Sequence, residues 1–348
     1  MKRLYVAFCL VIILMLASLG LATFALPDKD FSEYENRYLQ QKPSLREEDF
    51  TKQLTDYLGD QFPFRISAHH LTYEIWRLLG KTDINGVYVG KNHYYFQKIL
   101  DSDINEKRYQ NNLLTIEKFI KSYPTINTTV MIVPTAVNSE FPTYSSEKLY
   151  DMISFPSFID LRDKLKDYYR TDHHWTLDGA YVGYREYCKE KNLIARSKED
   201  FQFEIFSEDF LGTLYSKVVS NDAVSDTVKI AKNVGRVKVI ADGKEIPLYD
   251  MDAKNKKDKY LVYFGGNHGV MTLTSANKNG KNLLVIKDSF ANSFLPLIVD
   301  DYEKIIVIDP RYYSGNLEKI LQKESYTDAL FLYEMYNFST DTALSRLK

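Results

Sequence analysis

Two short segments contain residue types that together can perform nucleophilic acyl transfer. Residues 171–180 (TDHHWTLDGA) contain Asp172, His173 and His174, and residues 287–290 (KDSF) contain Ser289. A serine hydroxyl is a weak nucleophile until a base takes its proton, and an imidazole oriented by a carboxylate suits that task near neutral pH. The segments therefore predict a triad of Ser289, His174 and Asp172, in which His173 can replace His174 as far as local geometry is concerned.

A third segment supplies candidates for stabilising the negative charge that develops during acyl transfer. Ser289 stands where an apolar strand is predicted to run into a helix, and a helix N-terminus presents free backbone N–H groups. In residues 263–269 (YFGGNHG), Gly266 allows a close backbone approach to a ligand, and Asn267 offers a side-chain donor. We expect an oxyanion hole formed by the Ser289 N–H together with Gly266 or Asn267.

Other roles are open to the same residues. Ser289 is also suited to cap the helix that follows it, and Asn267 to fill a turn beside its glycines. Arg311 and Tyr312 follow a predicted strand end, where they are expected to line the site or to form a surface salt bridge and packing contact. The carboxylate with two imidazoles resembles a metal-ligand set, but adjacent histidines on an extended segment point to opposite faces, and no HExxH spacing occurs. We therefore expect neither a metal nor another cofactor.

The N-terminus predicts the compartment. Lys2 and Arg3 precede an uncharged stretch from residue 4 to residue 26. About 20 apolar residues suffice to cross a bilayer as a helix, whereas the apolar core of a cleaved signal peptide is shorter. The pattern predicts an uncleaved signal anchor at residues 1–26, with a cytoplasmic N-terminus and residues 27–348 outside the cytoplasm. A cleaved signal and a secreted protein form the alternative.

Composition excludes several classes of protein. The 348 residues carry a net charge of −2, with 26% charged and 45% hydrophobic residues. A nucleic-acid partner is not expected, because nucleic-acid-binding proteins usually show a basic excess. The chain has two cysteines, and Cys9 lies in the apolar N-terminal stretch. A disulfide framework is therefore not expected either.

Periodicity predicts the elements that position these residues. Residues 27–45 are polar and predict a linker, and residues 46–348 predict one domain with a β-rich insertion at about 203–276. Helices are expected near 47–58, 66–79, 103–122, 156–169 and 177–191. A strand pair is expected at 84–96, and single strands at 129–134, 281–290, 304–309 and 328–333. Alternating strands and helices predict a doubly wound α/β fold with a parallel sheet.

Beyond these features, the chain resembles a known family. The segments TDHHWTLDGA, KDSFANSFLPLI and DPRYY (residues 309–313), in this order, resemble the DHHW protein family. This is a bacterial, membrane-anchored group that is similar to the alginate O-acetyltransferases with an SGNH-hydrolase-like domain. The segments at 35–45 (ENRYLQQKPSL), 59–70 (GDQFPFRISAHH) and 86–96 (GVYVGKNHYYF) resemble the N-terminal part of that group. The resemblance thus covers nearly all of the exported chain.

The resemblance implies a fold and a function. It implies a three-layer α/β fold of the SGNH-hydrolase type, with Asp172, His174 and Ser289 as the triad. It also implies O-acetylation of a cell-surface polysaccharide, with a multi-pass membrane O-acyltransferase as the acyl supplier. Lys287 stands where an ordinary esterase of this class has glycine. A polysaccharide acetyl esterase with the same triad, and a non-catalytic assembly protein of a polysaccharide export complex, are the alternatives.

Overall fold

The computed structural model describes residues 2–137 and 139–347. Two compact units divide the chain. One contains the residues up to Asn85 together with Tyr215–Ala223, and the other contains Gly86–Leu214 together with the residues from Val224 onward. The elements of the first unit are helices α1 (Lys2–Ala25), α2 (Phe50–Asp60) and α3 (Arg65–Leu78) and strands β1 (Phe31–Ser32), β2 (Arg37–Tyr38) and β3 (Asp83–Ile84).

Helix α1 is long and apolar enough to cross a membrane, as the sequence predicts. Most of its apolar side chains are exposed rather than packed against the protein. Residues 27–45, predicted to be a linker, contain the β1–β2 hairpin. Two ion pairs join this hairpin to the following helices: Arg65 Nη2 lies 2.8 Å from Glu35 Oε1, and Arg37 Nη1 donates to Asp60 Oδ2 at 2.8 Å.

The second unit holds the candidate chemistry. Its strands are β4 (Val87–Val89), β5 (Tyr95–Gln97), β6 (Asn127–Val133), β7 (Phe158–Asp160), β8 (Phe203–Phe210), β9 (Asp226–Ala231), β10 (Val237–Ala241), β11 (Lys244–Ile246), β12 (Val270–Ser275), β13 (Asn282–Lys287), β14 (Lys304–Ile308) and β15 (Asp328–Glu334). Its helices are α4 (Glu106–Ser122), α5 (Ser146–Tyr150), α6 (Leu177–Glu190), α7 (Lys198–Phe201), α9 (Ala291–Ile298), α10 (Leu317–Leu321) and α11 (Met335–Thr340), with α8 (Thr213–Val218) at its boundary.

An eight-stranded sheet forms the centre of this unit, in the order β11-β10-β12-β14-β13-β15-β6-β7. Strands β14, β13, β15, β6 and β7 are parallel, whereas β12, β10 and β11 extend the sheet with antiparallel pairing. Parallel strands need both faces covered, and their sequences are accordingly continuous apolar runs. The carboxyl ends of β14, β13, β15 and β6 therefore lie side by side along one edge, where open α/β sheets bind ligands.

Two apolar clusters cover the two faces of the sheet. Because successive strand residues point to opposite faces, Leu283 and Val285 of β13 join one cluster, whereas Leu284 and Ile286 join the other. Helices α6 and α9 contribute to the first cluster, and α4 and α11 to the second. The predicted three-layer α/β fold with a mainly parallel sheet is confirmed.

The helix predicted at 156–169 is wrong. The structure has strand β7 there, followed by loop. Ile159 is buried and pairs with Met131 of β6, and the Asp160 carboxylate accepts from the backbone and guanidinium of Arg162 in a turn. Short apolar runs do not distinguish a strand from a helix by periodicity alone. Residues 203–276 are rich in strands, as predicted, but β10, β11 and β12 extend the central sheet instead of forming an insertion of their own.

Candidate active site

A carboxylate holds the loop that precedes α6. Asp226, at the start of β9, accepts hydrogen bonds from the backbone N–H groups of Arg170 and Thr171, both at 2.7 Å, and from the Thr171 hydroxyl at 2.6 Å. Thr176 then caps α6 by accepting from Gly179 N at 3.2 Å. The backbone of residues 170–176 is thus fixed at both ends by contacts that do not involve Asp172, His174 or Ser289.

A second buried carboxylate fixes the turn that carries Ser289. Asp288 Oδ1 accepts from Phe290 N, and Asp288 Oδ2 accepts from Glu334 N and from the Asn337 side chain, each at 2.9 Å. Ser289 follows the carboxyl end of β13 by two residues, and α9 begins two residues later. The chain therefore presents the Ser289 hydroxyl at the ligand-binding edge of the sheet, as the sequence predicts.

The structure brings Ser289, His174 and Asp172 into one chain of hydrogen bonds. His174 Nε2 lies 2.8 Å from Ser289 Oγ, and His174 Nδ1 lies 2.6 Å from Asp172 Oδ1. Because a carboxylate can only accept, Nδ1 carries the proton and Nε2 is left to accept from the serine hydroxyl. The three residues are 8%, 6% and 2% exposed, respectively. His173 Nδ1 instead lies 2.8 Å from Thr213 Oγ1. The geometry thus favours His174 over His173 as the partner of Ser289.

Asp172 is held as a carboxylate. Burial alone raises the pKa of Asp172, but the neighbouring His173 and His174 rings and hydrogen bonds from His174 and from the backbone of Thr213 outweigh it, so that the pKa lies below its ordinary value. Thr213 contributes both its N–H and its hydroxyl to Asp172 Oδ2, each at 2.8 Å. Asp172 therefore remains charged at neutral pH, as an anchor for an imidazolium must.

Two aromatic residues with no predicted role, Tyr260 and Trp175, contact the Ser–His–Asp set. The Tyr260 ring stacks on the His174 ring with centroids 4.0 Å apart, and its hydroxyl donates to Ser289 O at 3.0 Å. Trp175 Nε1 donates to Phe290 O at 2.9 Å and to Ser293 Oγ at 3.0 Å. The position of Trp175 next to the histidines could have indicated its role. No sequence pattern indicates a role for Tyr260, because it lies 86 positions after His174.

Gly212 lies against Asp172, and its lack of a side chain makes room for the carboxylate. A Cβ atom at position 212 would lie 2.3 Å from Asp172 Cβ and 2.5 Å from Asp172 Oδ2. We predict that Gly212→Ala displaces Asp172, lowers the melting temperature and reduces any Ser289-dependent activity at least tenfold. Thermal unfolding and ester turnover check this, with Gly59→Ala as the control, because a Cβ at Gly59 meets no atom within 4 Å.

The expected oxyanion donors have different environments. The Gly266 N–H donates to Tyr263 O at 3.1 Å, so it is already used within the turn. Asn267 Oδ1 accepts from Lys287 Nζ and from Asn292 Nδ2, both at 3.1 Å. This fixes the orientation of the amide, and Asn267 Nδ2 and Ser289 N have no acceptor within residues 2–137 and 139–347. Of the two residues predicted to accompany Ser289 N, Asn267 therefore retains the available donor.

Arg311 and Tyr312 lie after β14, beside a buried carboxylate. The Arg311 guanidinium donates to both oxygens of Asp309 at 2.8 and 2.6 Å, and Asp309 Oδ2 lies 3.4 Å from Lys287 Nζ. Arg311 thus forms a salt bridge, but with a fully buried carboxylate rather than at the surface, and Lys287 lies on the other side of that carboxylate. The Tyr312 ring is exposed and lies beneath the Arg311 guanidinium at 5.6 Å.

The ligand atoms of Asp172, His173 and His174 lie within 4.8 Å of one another, a spacing that can hold a metal ion. Each of those atoms also has a hydrogen-bond role. Asp172 Oδ1 and Oδ2 accept from His174 and Thr213, and His174 Nε2 faces Ser289. A metal would compete with these bonds, so the donor set fits a hydrogen-bonded triad better than a metal site.

The fold and these contacts define a class: a three-layer α/β protein with a hydrogen-bonded Ser–His–Asp set at the carboxyl edge of its parallel strands. The family model described as DHHW protein matches residues 157–308, which confirms the resemblance seen in the sequence. Comparison with curated protein sequences gives no match.

Solved structures share the fold. A DHHW family protein from Eubacterium siraeum superimposes with a TM-score of 0.62 at 20% identity, over 76% of this chain and 95% of that one. PatB1 from Bacillus cereus gives a TM-score of 0.61 at 18% identity, over 75% of this chain and 99% of that one. A second PatB1 structure, with a sulfonyl adduct, gives 0.60 at 17% identity over the same shares of the two chains.

Proposed function

We propose that this protein is an extracytoplasmic O-acetyltransferase that moves an acetyl group through Ser289 onto hydroxyls of a cell-surface polysaccharide. The observation that carries the proposal is the 2.8 Å contact between His174 Nε2 and Ser289 Oγ, with the other nitrogen of the ring on Asp172. A hydroxyl so placed can pass its proton to the ring as it attacks. A non-catalytic assembly protein has no need of this contact, which argues against that alternative.

The first half-reaction transfers the acetyl group to the protein. Ser289 Oγ attacks the carbonyl carbon of an acetyl ester or thioester, and its proton goes to His174 Nε2. The imidazolium is stabilised by Asp172, whose lowered pKa keeps it ionised. When the tetrahedral intermediate collapses, the leaving group takes the proton from His174, and an acetyl ester remains on Ser289.

The second half-reaction reverses the roles. A sugar hydroxyl gives its proton to His174 Nε2 and attacks the acetyl carbon, and collapse returns the proton to Ser289 Oγ. In both halves, Ser289 N and Asn267 Nδ2 are the proposed donors to the oxyanion. Water competes with the sugar as an acceptor. The protein is therefore an esterase if water, and not a sugar hydroxyl, is the nucleophile that discharges the acetyl-enzyme.

The proposal includes attachment of the protein to a membrane through helix α1. We propose that it is a signal anchor, with Lys2 and Arg3 in the cytoplasm, and that a multi-pass membrane O-acyltransferase supplies the acetyl group. The full chain is expected in the membrane fraction after alkaline extraction, and a variant lacking residues 2–26 in the soluble fraction. Immunoblotting of the two fractions checks this, and a full chain that alkali releases would contradict it.

The direct test follows the acetyl group. The full chain in detergent micelles is mixed with p-nitrophenyl acetate and oligosaccharide acceptors, and intact mass is measured for protein and acceptors, with Ser289→Ala as the matched control. Wild type is expected to gain one acetyl mass on the peptide that contains Ser289 and to pass it to an acceptor. An acetyl-enzyme that only water discharges would favour the esterase, and absence of label on Ser289 would contradict both enzymes.

A further inference from the structure

A cleft lies next to the loop that leads to Asp172, in a region that the mechanism above does not use. It has a volume of about 940 Å³, within the upper range of ligand-binding pockets. Its walls come from the β4–β5 hairpin, from the loop after β6, and from the loop that leads to Asp172. The lining includes Tyr94, Phe96, Thr135, Thr143 and Tyr169.

Direct contacts join this cleft to the catalytic residues. Tyr169 N donates to His174 O at 3.1 Å, and the Tyr169 ring meets the edge of the Tyr260 ring that stacks on His174. The loop before the triad is therefore also a wall of the cleft.

A second chain of contacts joins the loop after β6 to the turn that carries Ser289. The Thr135 hydroxyl donates to Glu334, and Glu334 N donates to Asp288, the residue before Ser289, at 2.9 Å. Thr135 follows the end of β6, and one strand, β15, separates β6 from β13. Strand spacing puts the ends of β6 and β13 roughly 10 Å apart. The cleft thus lies about two sugar rings or fewer from the nucleophile along the same edge of the sheet.

The lining has the character of a surface for hydroxyl-rich ligands. The Tyr94 and Phe96 rings stack with centroids 6.3 Å apart, and the Arg170 guanidinium holds the Tyr94 ring at 4.8 Å. Fixed aromatic rings offer apolar contact at low entropic cost, while hydroxyls such as that of Thr135 offer hydrogen bonds. Tyr94 is 36% exposed, so a ligand can reach it.

The charges that line the cleft balance. Its cationic residues are Arg162 and Lys166, and its acidic residues are Glu147 and Asp163. Just outside the lining, Asp160 pairs with Arg162 at 2.6 Å and the Arg170 guanidinium lies over the Tyr94 ring, so these two adjoining charges also cancel. An anionic polymer is attracted by a net positive groove, whereas this lining offers no excess of either sign. The occupant favoured by these observations is therefore uncharged.

We propose that this cleft binds the acceptor of the reaction, as a segment of several uncharged sugar residues with one hydroxyl directed to Ser289. The inference rests on the proposed function for its catalytic meaning, but the binding itself is independent of Ser289. It assigns the acceptor to neutral glycans, and it places the acceptor on the β6 side of Ser289.

Binding is measured by calorimetry on the full chain in micelles, with Ser289→Ala to prevent turnover. The probes are neutral pentasaccharides of glucose, mannose and N-acetylglucosamine, with pentagalacturonate as the anionic member. At least one neutral probe is expected to bind more tightly than pentagalacturonate. Tyr94→Ala, and Thr143→Trp at an exposed position of the lining, are expected to weaken that binding at least tenfold. Tyr38→Ala, an exposed tyrosine of the first unit, should leave it unchanged.

Several results would overturn the inference: no neutral probe bound, tighter binding of pentagalacturonate, or unchanged binding by both cleft variants with native melting temperatures. Labelling of wild-type Ser289 by phenylmethanesulfonyl fluoride, read by mass spectrometry, separates the two proposals. Labelling of Ser289 without glycan binding would reject the role of the cleft and leave the catalytic proposal in place. Glycan binding without labelling would support the role of the cleft and reject an activated Ser289.

Discussion

Asp172→Asn is expected to lower kcat for acetyl transfer about 10³–10⁴-fold, the size of effect seen when a triad carboxylate becomes an amide. The carboxylate accepts from His174 N and Nδ1 through one oxygen and from the N–H and hydroxyl of Thr213 through the other. An amide has only one oxygen. Whichever way it is oriented, its NH₂ group faces a backbone N–H, and the negative charge that stabilises the imidazolium is lost.

The two orientations of the amide have different costs. If the NH₂ group faces His174, it favours the ring tautomer with the proton on Nε2, which cannot accept a proton from Ser289. If it faces Thr213, one backbone N–H loses its acceptor, at a cost of about 1–3 kcal/mol in the free energy of unfolding. We therefore expect a small decrease in melting temperature together with the large loss of kcat.

Replacing each histidine separately provides the matched control. His174→Asn is expected to abolish transfer, because it removes the contact to Ser289, whereas His173→Asn is expected to retain activity within about tenfold, since His173 meets Thr213 instead. Steady-state kinetics with p-nitrophenyl acetate measures all three variants. Equal loss in the two histidine variants, or more than a tenth of wild-type kcat in Asp172→Asn, would contradict the assignment.

The sequence predicted the parts of the site that lie within short segments. Asp172 and His174 are two residues apart, and Ser289 follows a recognisable apolar strand, so local patterns and the family resemblance were sufficient to propose that they meet. The central strands were predictable for the same reason, since buried parallel strands are continuous apolar runs.

The supporting contacts were not predictable, because they join distant segments. Asp226 holds the loop at Thr171 across 55 residues, and Asp288 accepts from Asn337 across 49. No local pattern marks either carboxylate. Lys287 was noted only as a departure from glycine, and its role depends on side chains from three other segments. Such residues are identified by tertiary contacts, which a single sequence does not contain.

The ammonium group of Lys287 holds the side chain of Asn267. The Lys287 side chain is fully buried, and its ammonium group donates to Asn292 Oδ1 at 2.7 Å and to Asn267 Oδ1 at 3.1 Å, with Asp309 Oδ2 at 3.4 Å. Because both bonds to Asn267 end on its oxygen, they fix the amide and leave its NH₂ group without an acceptor among residues 2–137 and 139–347. Lys287 is thus a positioning residue for a proposed oxyanion donor.

Lys287→Met is expected to lower kcat about 10–100-fold, somewhat less than loss of an oxyanion donor itself, since Asn292 still holds Asn267. A double-mutant cycle of Lys287→Met with Asn267→Ala, measured as kcat, tests whether Lys287 acts through Asn267. If Lys287 acts through Asn267, the second substitution adds little once the first is made, whereas additive losses would contradict this role. A modest decrease in stability is expected for Lys287→Met at pH 7. Asn292 Oδ1 loses its donor, at a cost of about 1–3 kcal/mol, and removal of the buried charge offsets part of this cost because Arg311 still pairs with Asp309.

The pH dependence gives an independent check. Desolvation by burial, only partly offset by Asp309, lowers the pKa of Lys287 from 10.5 to about 8. The unfolded chain therefore binds this proton more tightly than the folded protein does. The buried charge lowers the free energy of unfolding by its full amount below pH 8, and this destabilisation disappears as the pH rises from about 8 to 10.5. Above pH 8 the neutral amine has two N–H donors for three acceptors, so its hold on Asn267 weakens. We therefore expect kcat/KM of the wild type to decrease above pH 8, and kcat/KM of Lys287→Met to lack this decrease. Identical pH profiles for the two proteins would reject the role of Lys287 in positioning the oxyanion donor.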